Sequence, residues 1–214
     1  MNRRDFALGL GTGSLASVLA GSAHAQGEPV EGREYTRLQQ PVPVSPAAAG
    51  KVEVVEFFGY WCPHCNAFEP SLDAWARKLP ADVVFRRIPV AFNGPHEPYQ
   101  KLFYALEAMG QLDAVHRKVF AAVHVQHLRL DKDSDLQSFS SANGLDYAKL
   151  TDTMKSFSVA TKCSQAKQLT NAWKIDGVPA MGVQGRFMTS VGLAGGHEQA
   201  LRVMDALILK AKKA

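Results

Sequence analysis

The sequence predicts an α/β fold in which a β-α-β half and a β-β-α half are separated by an inserted all-helical domain. Three observations carry that expectation. Two compact apolar runs, Lys51–Phe58 and Val83–Ile88, flank a single helical stripe. From Pro95 to Trp173 only helical periodicity is present. Strand signals return at Ala180–Val183 and Arg186–Ser190, ahead of a last amphipathic helix. The 214 residues, 46% hydrophobic and 21% charged, suffice for one substantial core or two small ones and exclude disordered and fibrous classes. Three cysteines are too few for a disulfide scaffold or for paired zinc knuckles. The net charge of +4 is spread without basic runs, so no nucleic-acid partner is expected.

In chain order, residues 1–25 read as a cleaved export signal. Arg3 and Arg4 form a positive start, a mostly apolar stretch runs from Phe6 to Ala20, and Ala23-His24-Ala25 supplies a small-x-small cleavage pattern. The stretch is shorter than the ~20 apolar residues a membrane-spanning helix needs. Its Gly9, Gly11 and Gly13 mimic a dinucleotide loop, but no strand precedes them. Asn2-Arg3-Arg4-Asp5-Phe6 fits either a twin-arginine or an ordinary secretory signal. Both lead out of the cytoplasm. No later segment is long and apolar enough to anchor the chain, so a soluble periplasmic protein is expected.

Residues 27–50 are rich in Pro, Gly and Ala, with a short strand expected at Glu34–Gln39 that Pro41, Pro43 and Pro46 prevent from continuing. Val52, Val54, Val55, Phe57 and Phe58 mark Lys51–Phe58 as a buried central strand. Over Pro63–Leu79, Cys65, Phe68, Leu72, Trp75 and Leu79 recur at steps of three and four, one face of a helix. Strand, helix, strand in that order predicts a parallel βαβ unit. Leu112, Val115, Val119 and Val123 line a further helix; Tyr147, Leu150 and Met154 another; Val159, Cys163, Ala166 and Trp173 a third. Asn143-Gly144 is a break between helices. Gln184-Gly185 reads as a two-residue hairpin turn, and His197–Lys210 as the closing helix. The expected division is 26–94 with 174–214 as the α/β domain and 95–173 as the insertion.

The chemistry concentrates at Trp61-Cys62-Pro63-His64-Cys65. Pro63 suits the first position of a helix, where its missing N–H costs nothing. That places Cys62 at the helix N-terminus, where unpaired N–H groups and the macrodipole favour an anion. Such settings lower a thiol's pKa from ~8.5 into a range of roughly 3.5–7.5. His64 adds a donor and, if protonated, a positive charge. Cys65 falls on the apolar stripe, so it is expected to be shielded while Cys62 is accessible. An attacking sulfur beside a resolving one is the equipment of a dithiol catalyst. A structural disulfide or half a zinc site are the alternatives, but a zinc site needs a second ligand pair, and Cys163 lies on another helix.

Phe57-Phe58-Gly59-Tyr60-Trp61-Cys62-Pro63-His64-Cys65, followed by Phe68-Glu69, resembles the thioredoxin superfamily and, within it, the DsbA-type thiol:disulfide oxidoreductases of bacterial periplasms. Gly177-Val178-Pro179-Ala180 resembles that family's second motif, a residue followed by a cis-proline. The resemblance spans the chain from about residue 34. It implies a thioredoxin-like fold with an inserted helical domain and a Cys62–Cys65 redox disulfide. It also implies that Val178 and Pro179 face the disulfide and bind extended substrate peptide. The implied activity is oxidation of cysteine pairs in reduced, newly exported proteins. Re-oxidation by a quinone-linked membrane partner of the DsbB type is implied as well, with no flavin, nicotinamide or metal cofactor. A monomer is expected. A reductase or isomerase on the same fold would share the chemistry, but thioredoxin-like reductants usually carry Gly-Pro between the cysteines rather than Pro63-His64. Residues 26–50 are also too short for an isomerase's dimerisation domain. A non-catalytic metal-binding module is the competitor from another class.

Glu56 lies inside the apolar run, six residues before Cys62, where a carboxylate is costly unless paired or protonated. It resembles the family's buried acid that moves a proton to or from the inner thiol, here Cys65. The alternative is an ion pair with Arg86, Arg87 or a lysine. Cys163 reads as a buried free cysteine acting as a small hydrophobe, or else as a regulatory or intermolecular thiol. His116, His124 and His127 gather in one segment, and His124 and His127 could face one another, but nothing completes a metal site. Pro70 is expected to kink the helix that follows Cys62.

Overall fold

A computed structural model describes residues 27–213, so the export signal expected at 1–25 lies outside the described residues. Five strands form one sheet: β1 (Thr36–Arg37), β2 (Val52–Phe58), β3 (Val83–Pro89), β4 (Ala180–Val183) and β5 (Phe187–Ser190), in the order β1-β5-β4-β2-β3. β2 pairs parallel with β3 and antiparallel with β4. β2 has a neighbour on each edge and helices packed on both faces of the sheet, so all seven of its residues are buried. β2 and β3, neighbours in the sheet, are joined through a helix, α1 (Pro63–Ala76), the crossover that parallel pairing requires. This is the predicted βαβ unit.

α1 ends three residues before the apolar stripe does. Pro80 disfavours helical backbone at Leu79, and the chain closes with a tight turn from Leu79 N–H to Ala76 O. Leu79 still packs against the core. Pro70 lies inside α1 as expected. The hairpin also differs in detail. Val183 pairs with Phe187, so Arg186 falls outside the ladder and three residues connect the strands. Gln184 and Gly185 both adopt positive φ, and Arg186 N–H closes the turn on Val183 O. The first strand is shorter than expected, although Leu38 N–H continues to Arg186 O before the prolines intervene.

Between β3 and β4 the chain is helical: α2 (Glu97–Ala108), α3 (Leu112–His124), α4 (Asp133–Ala142), α5 (Tyr147–Met154) and α6 (Phe157–Ala172). The chain ends with α7 (Val191–Ala194) and α8 (His197–Lys212). Alternation along β2 feeds two cores. Val52 and Val54 join Phe68 and Leu72 of α1 and Met204 and Leu207 of α8, while Val55 and Phe57 join the side formed by α2 to α6. Each large apolar side chain buried this way contributes about 1.5–3 kcal/mol. Trp173, 1% exposed, fastens the helical segment to the sheet by packing on Phe57, with ring centroids 5.6 Å apart. Its indole lies where a side chain on β4 would be. A Cβ at Gly182 would sit 2.3 Å from it, so that strand position requires glycine.

Candidate active site

Cys62 caps α1 in an extended conformation and Pro63 occupies the first turn, as the motif predicts. The preceding turn closes from Cys62 N–H to Gly59 O at 3.0 Å, and Asn66 N–H bonds Cys62 O at 3.1 Å. Trp61 is fixed beside it, its indole N–H donating to Val90 O at 3.2 Å and its ring stacked on His96 with centroids 3.7 Å apart. Gly59 makes room for that indole: a Cβ there would approach it to 2.5 Å.

The peptide bond Val178-Pro179 is cis, and this loop lies over the dithiol. The Cys62 thiol donates to Val178 O at 3.4 Å. That contact corrects one expectation. Cys62 is itself covered, 4% exposed against 0% for Cys65, because the loop that joins α6 to β4 closes over it. Pro63 and His64 are exposed. Exposure therefore does not separate the two sulfurs; proton affinity does. A hydrogen bond from Cys65 holds the Cys62 thiol down to about 6 against the opposing cost of burial, helped by the backbone N–H groups of Cys65 and His64 and by His64 charge. Burial, the Cys62 hydrogen bond and the Glu56 carboxylate push Cys65 far above the thiol range. Cys62 therefore gives up its proton far more readily than Cys65, and in doing so loses its bond to Val178 O. Both cysteines are free, the reduced form.

Behind Cys65 lies a buried polar chain. Glu56 receives Arg87 Nε at 3.0 Å, the same guanidinium reaches Glu69 at 2.7 Å, and His116 Nε2 stands 3.4 Å from that Glu69 oxygen. On the other side of its ring His116 Nδ1 meets the Tyr60 hydroxyl at 2.7 Å. The ion pair weighed for Glu56 is thus formed, with Arg87, whereas Arg86 pairs with Glu53 at 2.8 Å. Burial still raises Glu56 to about 8, opposed by Arg87 and reinforced by Glu69, since one guanidinium serves two carboxylates.

Two of the three histidines, His116 and His124, meet Tyr60 from α3, one at its hydroxyl and one at its carbonyl oxygen. α3 ends at His124, so His127 leaves its face, and the ring of His124 instead meets Tyr60 O at 2.7 Å. Among the described residues no group of three potential ligands could hold a metal ion. Cys163 is only half-buried rather than enclosed, and burial raises its thiol to about 11. Within the motif, Glu69 drew no role from the sequence and Tyr60 only a general one in tuning the site, and His116 as their partner was missed. A buried tyrosine two residues before a reactive cysteine was the available signal.

A dithiol at a helix N-terminus under a cis-proline loop, on a sheet of this order, defines a thiol:disulfide oxidoreductase of the thioredoxin fold. Comparison with known proteins narrows the class. A family model described as "DSBA-like thioredoxin domain" matches residues 96–198, and one described as "Thioredoxin" matches residues 46–97. The thiol:disulfide interchange protein DsbA of Pseudomonas aeruginosa is 41% identical over 201 residues, covering 94% of each chain. That of Bordetella pertussis is 41% identical over 198 residues, 92% of this chain and 91% of the other. A crystal structure of Pseudomonas aeruginosa DsbA superposes with a TM-score of 0.82 at 42% identity, covering 86% of this chain and 95% of that one. The Xylella fastidiosa DsbA structure gives 0.79 at 29% identity, covering 87% and 99%. The chain belongs to the DsbA family and is a protein disulfide oxidoreductase.

Proposed function

We propose that the chain oxidises cysteine pairs of exported proteins through a Cys62–Cys65 disulfide. A substrate thiolate attacks Cys62 Sγ; the Cys62–Cys65 bond breaks and its electron pair leaves on Cys65, which takes a proton from Glu56. The substrate's second thiolate then attacks its own sulfur in the mixed disulfide and releases Cys62 as thiolate. The substrate loses two electrons and the enzyme gains them as a dithiol. A low-affinity proton site on Cys62 makes it a good leaving group, which drives the second step. Val178 and Pro179 are the residues we assign to the substrate backbone, and Pro63 and His64 to tuning Cys62. The placing of Cys62 at the N-terminus of α1 beneath Val178, with Cys65 enclosed on the same turn, is the observation that carries this reading.

The remaining assignments follow the family. Residues 1–25 serve as a cleaved export signal, the site of action is the periplasm, and a quinone-linked membrane oxidase of the DsbB type restores the disulfide. The α/β domain comprises 26–94 and 174–214, with 95–173 inserted. No helix among the described residues is long and apolar enough to cross a membrane.

The test is the reduction potential of the purified protein with Cys163→Ser, equilibrated against glutathione buffers. DsbA enzymes themselves are the reference for strong oxidants, near about −120 mV, so a value in that region is expected by membership rather than read from this geometry. A value near about −270 mV, that of thioredoxin, would reverse the direction of electron flow. A protein with no dithiol–disulfide couple would remove the redox assignment from these two cysteines.

A further inference from the structure

His116 takes no part in the steps above, yet its surroundings are specific. The ring is 6% exposed, walled by Phe58, Phe103 and Phe120 at centroid distances of 5.4, 6.2 and 5.3 Å. Burial holds the Tyr60 phenol well above its usual range, so that hydroxyl keeps its proton. The proton has one acceptor within reach, His116 Nδ1 at 2.7 Å. Tyr60 therefore donates, and the neutral ring carries its hydrogen on Nε2, facing Glu69 Oε1 at 3.4 Å. Burial also lowers the proton affinity of His116, against the pull of Glu69 and, more weakly, Asp73 on α1 and with the repulsion of Arg87 on β3. The ring is thus hydrogen-bonded to the turn that precedes Cys62, while toward the helix that follows it Nε2 makes an electrostatic contact with Glu69 and no hydrogen bond.

The charges around it do not balance. Two buried carboxylates, Glu56 and Glu69, face one guanidinium, and one proton is needed to neutralise the excess. Either carboxylate could hold it, but only Glu56 acts electrostatically on Cys65. We infer that His116 is a positioning residue for the dithiol, whose Nε2–H steadies Glu69 as the carboxylate and so keeps the shared proton on Glu56, beside the sulfur that needs it. The inference rests on the reading of Cys62 and Cys65 as the reactive pair.

Its test is the pH dependence of the first step, the reaction of oxidised enzyme with a small dithiol, expressed per substrate thiolate. In wild type that rate falls on the alkaline side as Glu56 ionises. His116→Phe keeps the bulk and removes both ring nitrogens. The alkaline limb is expected to move to lower pH, with the rate at pH 9 down about threefold and at pH 7.5 only about 1.5-fold, the effect of a half-unit displacement from about 8. His116→Gln, which restores a donor, should recover most of the loss. In a Glu69→Gln background His116→Phe should shift nothing further, since the competing carboxylate is gone. A folded His116→Phe protein with the wild-type profile would overturn the inference, as would an equal shift in the Glu69→Gln background. Nitrogen chemical shifts of the histidine rings in unmutated protein decide the matter even where variants do not fold. A neutral Nε2–H ring through the range in which Cys62 ionises is expected, and an Nδ1–H or protonated ring there would refute the assignment. Wild type run alongside separates the two readings. If it reacts and the variants match it, only the role of His116 falls; if wild type does not react with the dithiol, both fall.

Discussion

Glu53 and Glu56 lie three residues apart on the same strand, both 1% exposed, and each faces an arginine from β3. Their proton affinities nevertheless diverge. Glu53 accepts two bonds from Arg86, at 2.8 and 3.4 Å, and a third from Ser45 N–H at 3.0 Å. These overcome the cost of burial and hold its carboxyl below the usual range. Glu56 accepts one bond from Arg87, which also serves Glu69, and burial wins. Equal exposure hides two differences that act together: Glu56 lies deeper in the protein than Glu53, and it has fewer donors, so both desolvation and incomplete pairing favour its protonated form. The fully paired glutamate belongs to the architecture, and the half-paired one stands beside the chemistry.

Removing Arg87 is the severest way to break this comparison. Arg87→Leu leaves two buried carboxylates facing each other without a cation, and a loss of about 3–5 kcal/mol is expected from urea unfolding at pH 7. Catalysis comes next. Glu56→Gln keeps the shape and removes the transferable proton, so the steps that protonate or deprotonate Cys65 should slow by up to about a hundredfold in stopped-flow traces. An unchanged rate would remove Glu56 from the mechanism. Arg86→Leu is milder, about 1–3 kcal/mol, because Glu53 keeps the Ser45 N–H and Arg86 is itself partly solvated.

The smallest effect is the most discriminating, since the two glutamates should bend the pH–stability curve in opposite senses. Glu56 binds its proton more tightly when folded, so its contribution is intact at acid pH and is lost as pH rises toward and through about 8. Glu56→Gln should therefore gain on wild type over that interval. Glu53 binds its proton less tightly when folded, so its contribution is present above the ordinary glutamate pKa and is lost as pH falls below it. Glu53→Gln should be weaker than wild type at neutral pH and converge with it in acid. Denaturation midpoints measured from pH 2 to pH 9 would show both slopes; parallel curves for the two variants would contradict the distinction.

Much of the site was legible beforehand because its signals are local. Proline at the first helical position puts Cys62 at an N-terminus, and steps of three and four put Cys65 inside, whatever else the chain does. The cover over Cys62 left no local signal, since Val178 arrives from the far end of the helical segment; the family resemblance alone placed that loop at the dithiol, and Cys62 lacks the accessibility expected for it. Nor did the end of α3 at His124, which leaves His127 beyond the helix on which the two could have faced one another.

By itself, then, the sequence determined the strands, the helical segment, the order of elements and the dithiol at the head of α1, all through periodicity, turn chemistry and short motifs. Tertiary structure alone decided which acid meets which arginine. Arg86 and Arg87 are neighbours on one strand and point to opposite faces, so the register that sets Glu56 against Arg87 also sends Arg86 to Glu53. A slip of one residue would exchange them. Tertiary structure also brought His116 from α3 between Tyr60 and Glu69. The proton affinities of buried groups are sums over such partners, and partners distant in the chain leave no trace in local pattern.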